Sequence, residues 1–494
     1  MTLTPPRLDV PTENRAVPRS LWSMAFTELW ERFSFYGLQG ILSFYLLYSL
    51  DKGGLDLGPA ASSGIVGAYG GAVYLAQLVG AWIGDRLVSP KYVVLWGGII
   101  IACGHVTLAA LSGLTGLGVG LVLIILGTGA LKTNITSIVG FMLDGHTDAK
   151  RDAGFSYFYM AINIGAVVGP LTTGFAQNQW GFHYGFGLAA IGMFAALVQY
   201  GLSMKKLPER AGQVNNPLPA GKLLAPIGYA VIAIAVIATC SLTGWLRAGN
   251  MSSVVTIAAL VAAAGYFAVI LSSKKVTSDE KRRVSAYLPL FLLSGIYFGF
   301  LFQKFTAISI LITDRVDLEI GDWTFPVAWI TALSPLSAVL ITPLVARLWG
   351  RLGPRQPKPV AKFAIGLIQI GLAYFYLLVV STVTGNATIP LLLILLFMVL
   401  AGSSEVYVGP IGLALATKIG PAKFTSQMVG LNFLTLALGS SLSGLLGQLF
   451  AEISSTAYFT IVAASAAVLG GVLLLARKPL NRWLYAGLGA NGRA

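Results

Sequence analysis

Apolar runs of about 20 residues recur along the chain every ~25 to 40 residues, separated by short polar stretches. A helix needs about 20 such residues to cross a hydrocarbon core about 30 Å thick, and strand backbone with open edges cannot be satisfied in lipid. The pattern therefore predicts an all-α membrane protein. Fourteen spans are expected, starting near residues 21, 60, 92, 117, 153, 182, 223, 252, 284, 325, 360, 390, 424 and 455. They group as two six-helix bundles, 21–204 and 284–478. Between them lies 205–283, a linker whose ends, KKLPERAGQVNNPLPAGK and SSKKVTSDEKRR, are polar and whose centre holds two extra helices without mid-span charge. Those two helices are expected to be peripheral. Residues 1–20 form an N-terminal tail without the apolar core of a cleaved signal peptide, and 479–494 a C-terminal tail.

Composition agrees with the pattern. The 494 residues are 56% hydrophobic and 11% charged, with a mean hydropathy of +0.77, outside the range of soluble globular domains. Charge then adds direction. Of the 33 basic residues, 27 fall in the segment before residue 21, in alternate loops and in the last segment, whereas the opposite loops carry Lys52, Arg247 and Arg315. By the positive-inside rule both termini are cytoplasmic. The net charge of +14 is therefore a topology signal and an attraction to anionic lipid, and no nucleic-acid partner is expected.

Six charges lie inside spans: Glu28, Glu31 and Arg32 in the first, Lys132 in the fourth, Lys304 late in the seventh main span and Glu405 in the tenth main span. Intramembrane charges face a cavity or one another. Glu28 and Arg32 are four apart and Glu28 and Glu31 three apart, so all three share one helix face. Arg32 neutralises one acid, and the second is left to share a proton, since two close carboxylates resist joint ionisation. Lys132 and Glu405 sit 15 residues beyond the expected starts at 117 and 390 in equivalent spans. An ion pair between them would form a gate closing the cavity from outside, released by protonating Glu405. A purely structural ion network is the alternative.

Other chemistry is sparse. His146 falls in a loop, His183 near an outer interface, and His105 alone in the third span, where a packed neutral ring is expected. Cys103 and Cys240 occupy separate spans without metal-type spacing, and no disulfide is expected. No nucleotide-binding loop, zinc constellation or triad spacing appears, so the chain does not read as an enzyme and no cofactor or metal is expected.

Six plus six spans with parallel halves match the major facilitator organisation, in which the site lies at the midplane. The stretches ELWERFSFYG, GAWIGDRL, GTGALKTN, FSYFYMAINIGAVVG, GFHYGFGLA, PVAKFAIG and PIGLALATKIGP resemble, in order and along most of the chain, the proton-dependent oligopeptide transporters of bacterial type. The resemblance implies a major facilitator fold with two extra central helices. It implies proton coupling at Glu28, Glu31 and Arg32, with Arg32 also meeting the peptide carboxylate. It places the family's helix 4 lysine on Lys132 and its acid for the peptide amino group on Glu405, and pocket polar residues on Tyr36, Tyr74 and Asn163.

Several positions depart from the family pattern. Phe35 and Gln39 stand where a tyrosine and a basic residue are usual, and Phe302 precedes Gln303 and Lys304 where an acid is usual. Ser334-Pro335 replaces Asn-Pro, Ser404 a glycine and Asn432 a tryptophan. Gln39, Phe298, Ser334 and Asn432 complete the candidate substrate-binding set. These changes imply a peptide preference different from the family's usual one. The expected function is proton-coupled import of di-/tripeptides or peptide-like compounds by a monomer in the bacterial inner membrane, driven by the proton gradient. The alternative is a non-transporting receptor or scaffold that kept the fold.

Overall fold

The structure is a computed structural model that describes residues 19–144, 146, 148–219, 221, 224–421 and 423–487. Most of the expected tails, with Arg7, Arg15 and Arg493, and the linker residue Lys222 lie outside the described residues.

The chain is a multi-span membrane protein built almost wholly from helices. The first six are α1 (Arg19–Leu47), α2 (Pro59–Arg86), α3 (Pro90–Ala110), α4 (Gly113–Met142), α5 (Asp148–Trp180) and α6 (Phe182–Ser203). Two central helices follow, α7 (Leu224–Leu242) and α8 (Ala248–Ser272). The last six spans comprise α9 (Ser278–Leu301) with α10 (Ala307–Arg315), α11 (Val327–Leu352), α12 (Pro359–Thr384), α13 (Leu391–Ser403) with α14 (Gly409–Ile419), α15 (Thr425–Glu452) and α16 (Ser455–Leu484). Among the described residues, 13 spans are long and apolar enough to cross a membrane. The fourteenth, α1, has the length, 29 residues, but its hydropathy is lowered by Glu28, Glu31 and Arg32.

Two spans are broken. A 3-10 turn at Phe302–Phe305 separates α9 from α10, and another at Ser404–Tyr407 separates α13 from α14. The second break has a sequence cause, because Gly409-Pro410 follows it and proline cannot donate to the preceding turn. The first has no Pro or Gly. Its backbone is held from the side instead: Ser309 Oγ donates to the Lys304 carbonyl at 3.0 Å and Thr306 Oγ1 to the Ser443 carbonyl at 2.9 Å.

Two structural differences from the expected elements stand out. α9 begins at Ser278, not near 284, because Thr277 and Glu280 form a reciprocal capping box at its start. α10 carries this span on to Arg315, so Lys304, expected late in it, lies at the break between its two helices. Of the two extra helices, no described side chain of α7 is buried. α8 is docked: Ser252 Oγ donates to the Gly64 carbonyl at 2.9 Å, and Thr256 Oγ1 to Ser441 Oγ at 2.8 Å.

The chain divides into two compact units. The first runs through Tyr36 and adds Ala76–Gly169 and Phe186–Ile227. Its core gathers Met24, Ile101, Leu131, Ile135, Phe158 and Met193. α3 and α4 cross closely enough that a Cβ on Gly97 would lie 2.8 Å from the Gly127 carbonyl, the small-residue contact that lets membrane helices approach. The Asp85-Arg86 end of α2 pins the linker: the Asp85 and Arg86 carbonyls accept from the Asn216 and Leu218 amides, both at 3.0 Å, and Arg86 Nη1 donates to the Asn216 carbonyl at 3.2 Å.

The second unit holds Gly37–Leu75, Pro170–Gly185 and the chain from Gly228. Here the later parts of α1 and α5 meet the second half of the sequence. Ser43 Oγ donates to the Phe305 carbonyl, Trp329 Nε1 to the Leu171 carbonyl at 2.7 Å and Asn178 Nδ2 to the Thr324 carbonyl at 3.1 Å.

Candidate functional site

In the first unit, α1 carries Glu28 and Glu31 fully buried and Arg32 at 4% exposure. Arg32 grips Glu31 with two parallel bonds, Nε to Oε2 at 2.5 Å and Nη2 to Oε1 at 2.7 Å, the fork geometry in which guanidinium and carboxylate fit best. The same Nε lies 3.5 Å from Glu28 Oε1. Lys132, reaching in from α4, donates to that same Glu28 oxygen. The cluster thus contains two carboxylates and two cations. Its charges cancel, which is what allows three of these ionisable groups to stay buried and Lys132 half-buried.

The arrangement differs from the sequence expectation in two respects. The strong contact of Arg32 is with its neighbour Glu31, because both side chains are long enough to fold back along the helix, and the four-apart contact to Glu28 is the longer one. Lys132 is also part of the cluster, since α3 and α4 bring it to Glu28. One atom is left over: Glu28 Oε2 is buried with no hydrogen-bond partner. That oxygen is where a proton can load the carboxyl, and loading it removes the charge that holds Lys132 on Oε1.

Aromatic rings border the guanidinium, with Arg32 Cζ 4.8 Å from the Phe35 ring centre and 5.9 Å from that of Tyr36. Gly165 of α5 backs onto Arg32, where an added Cβ would lie 2.9 Å from the Arg32 Cβ. Asn163, one turn-half earlier on α5, is exposed. An exposed amide is poorly placed against lipid and suits a wetted surface.

In the second unit, both broken spans carry a charge at the break. Lys304, 7% exposed, donates to Ser334 Oγ of α11 at 3.0 Å. Its neighbour Gln303 accepts from Tyr458. Glu405 is half-buried in the other break, within electrostatic reach of the Lys304 ammonium. Next to it, Ser404 Oγ and the Tyr297 hydroxyl bond at 2.7 Å. Sequence reasoning found Lys304, Ser334, Ser404 and Glu405 singly and missed Tyr297 and Tyr458. Polar partners inside apolar helices were the available signal.

The remaining candidates vary. Gln39 is 4% exposed with its Oε1 unpartnered. Tyr36 and Tyr74 are half-buried. Phe298 is buried and stacked on Phe302, centroids 5.6 Å apart at 28°. Asn432 of α15 is half-buried, and its Oδ1 faces Gly412, where an added Cβ would lie 2.8 Å away. His105 is buried without a hydrogen-bond partner on either ring nitrogen. Cys103 and Cys240 are free thiols, and no metal-holding cluster occurs among the described residues.

The sequence model of the POT family matches residues 91–465. The chain belongs to the POT family. Its similarity to family members is nearly full-length on both sides. It is 36% identical over 481 residues to a di-/tripeptide transporter of Lactococcus lactis subsp. cremoris, covering 94% of this chain and 96% of that one. A crystal structure of the peptide transporter POT in complex with sulfate superposes with a TM-score of 0.90 at 35% identity, covering 98% of this chain and 99% of the other. A crystal structure of a POT family transporter in complex with 5-aminolevulinic acid superposes with a TM-score of 0.89 at 31% identity, covering 96% and 99%. Within the POT family fold, Arg32, Glu31, Glu28 and Lys132 supply one charged site, and Lys304 and Glu405 a second.

Proposed function

We propose that this POT family protein is a proton-coupled symporter that imports di- or tripeptides, or peptide-like zwitterions, by alternating access. The observation that carries the reading is the buried neutral cluster with one unpartnered carboxylate oxygen. A proton on Glu28 Oε2 leaves one positive charge in excess, and a substrate carboxylate docking at Arg32 restores neutrality. Proton and substrate are then favoured together, which is the thermodynamic content of symport. Lys132, once Glu28 is protonated, is free to seek Glu405 as a gate partner when the outside is closed. Glu405, already facing Lys304, receives the substrate amino group.

The two six-helix halves, 21–204 and 284–478, rock about these charges, with 205–283 as the linker. The protein acts as a monomer in the bacterial inner membrane with both termini cytoplasmic. It needs no cofactor, because the proton gradient supplies the driving force. Peptide transport by the L. lactis relative supports the substrate class, and the 5-aminolevulinic acid complex of another relative supports its extension to non-peptides.

The test is uptake by proteoliposomes under an imposed inward proton gradient, across a panel of dipeptides and non-peptide zwitterions. Gradient-dependent accumulation of at least one compound is expected. No accumulation of any would favour the non-transporting scaffold.

A further inference from the structure

A cleft of about 500 Å³ opens on the first unit where the start of α1 meets the end of α6. Its size lies within the range of small-molecule sites, roughly 300–1,000 Å³. One wall is apolar, formed by Trp22, Phe26 and Leu202, all exposed. Trp22 is braced against Tyr157 with ring centres 5.0 Å apart. The other wall is polar, with Ser20, Ser23 and the Lys206 ammonium. Ser23 Oγ accepts from Gln199 Nε2 at 3.1 Å, which leaves its own hydroxyl hydrogen to donate. Among the described residues, no carboxylate lines the cleft.

The geometry points to a binding site for one anionic phospholipid of the cytoplasmic leaflet, its phosphate at Lys206, Ser20 and Ser23 and an acyl chain along Trp22, Phe26 and Leu202. This rests on the reading above that these helix ends face the cytoplasm. The argument is charge complementarity combined with amphipathy. A cation beside hydroxyl donors, with no acid among the described lining residues, selects a phosphate-bearing anion. An apolar wall continuing towards the membrane interior selects a lipid over a free ion. Trp at the headgroup level and a basic pocket between helices on the positive side are features that hold anionic lipid.

Native mass spectrometry of the full chain tests this, using micelles doped with phosphatidylglycerol or phosphatidylethanolamine of matched acyl chains. One retained phosphatidylglycerol is expected, preferred over phosphatidylethanolamine. Lys206→Gln is expected to weaken retention about fivefold, the equivalent of about 1 kcal/mol per basic residue near an anionic surface. Lys274→Gln, an exposed lysine in the loop after α8, should change nothing. Thermal unfolding of each variant confirms that it folds. Trp22→Ala should weaken both lipids alike. Equal retention of the two lipids, equal loss in the two lysine variants, retention of neither lipid, or a lipid-free dimer that Lys206→Gln dissolves would each overturn the assignment. Impermeant labelling of a cysteine introduced at Lys274 reads the orientation independently, so a wrong topology is distinguishable from an empty cleft.

Discussion

Lys132 donates to Oε1 of Glu28, while Oε2 of the same carboxylate is buried without a partner. This relationship joins α1 to α4 and gives the acid a contact that depends on its charge. It also supplies the most direct stability prediction. Glu28→Gln and Lys132→Gln each leave an unpaired charge, at a cost of roughly 3 to 5 kcal/mol where burial is complete. The double variant restores neutrality. Thermal unfolding in detergent should show both single variants well below the wild type and the double variant above either single one. Additive losses would mean that the pair is not coupled.

Glu31→Gln is expected to abolish gradient-driven accumulation while leaving counterflow exchange. Without the bidentate hold of Glu31, Arg32 turns fully to Glu28, 3.5 Å away, and keeps the proton-carrying acid ionised, but the cavity persists. Accumulation and counterflow measured on the same vesicles separate the two. Concentrative uptake retained in Glu31→Gln would remove this residue from the coupling mechanism.

The Lys132–Glu405 gate makes a conformational prediction. Cysteines at both positions should cross-link in the state closed to the outside, which saturating substrate favours, and not in the state open to it. Failure to cross-link in every transport state sinks the gate.

Lys304 and Ser334 bear on selectivity. The Lys304 ammonium lies within electrostatic reach of Glu405, so part of the charge that meets a substrate amino group is already answered within the protein. Dialanine-type peptides should therefore compete more weakly here than in POT family members with the usual pocket. Asn432→Trp with Ser334→Asn should restore competition by returning an aromatic wall, worth about 0.5 to 1.5 kcal/mol beyond its burial. Ser334 is fully buried, so the larger amide also carries an overpacking cost of about 1 to 3 kcal/mol, visible as a lower melting temperature. Equal, tight competition by many dipeptides in the unmodified protein would show these substitutions to be neutral.

Much of this was legible in the sequence because membrane helices announce themselves by length and hydropathy, and because charges inside apolar runs are rare enough to be noticed. Glu28, Glu31, Arg32, Lys132, Lys304 and Glu405 were all found that way, and Gly409-Pro410 marks the break in the α13–α14 span. Pairings were less legible. Helix-face spacing favours contacts three or four residues apart, so it could not anticipate that Arg32 bonds chiefly to Glu31. The contact of Lys132 with Glu28 depends on how α4 lies beside α1, which no local pattern encodes. The break at Phe302–Phe305 is also hidden, since side chains distant in sequence, Ser443 among them, hold it. The start of α4 was expected at 117 and lies at Gly113, so Lys132 falls deeper along its helix than Glu405 does along α13 and the turn after it.

The central claim is that proton and substrate move together through this cluster. A pH-sensitive dye trapped in proteoliposomes at zero imposed gradient measures it directly when a transported dipeptide is added outside. The wild type should acidify the lumen in step with peptide entry, and Glu31→Gln should not. Peptide entry by the wild type without any change in lumenal pH would contradict the account.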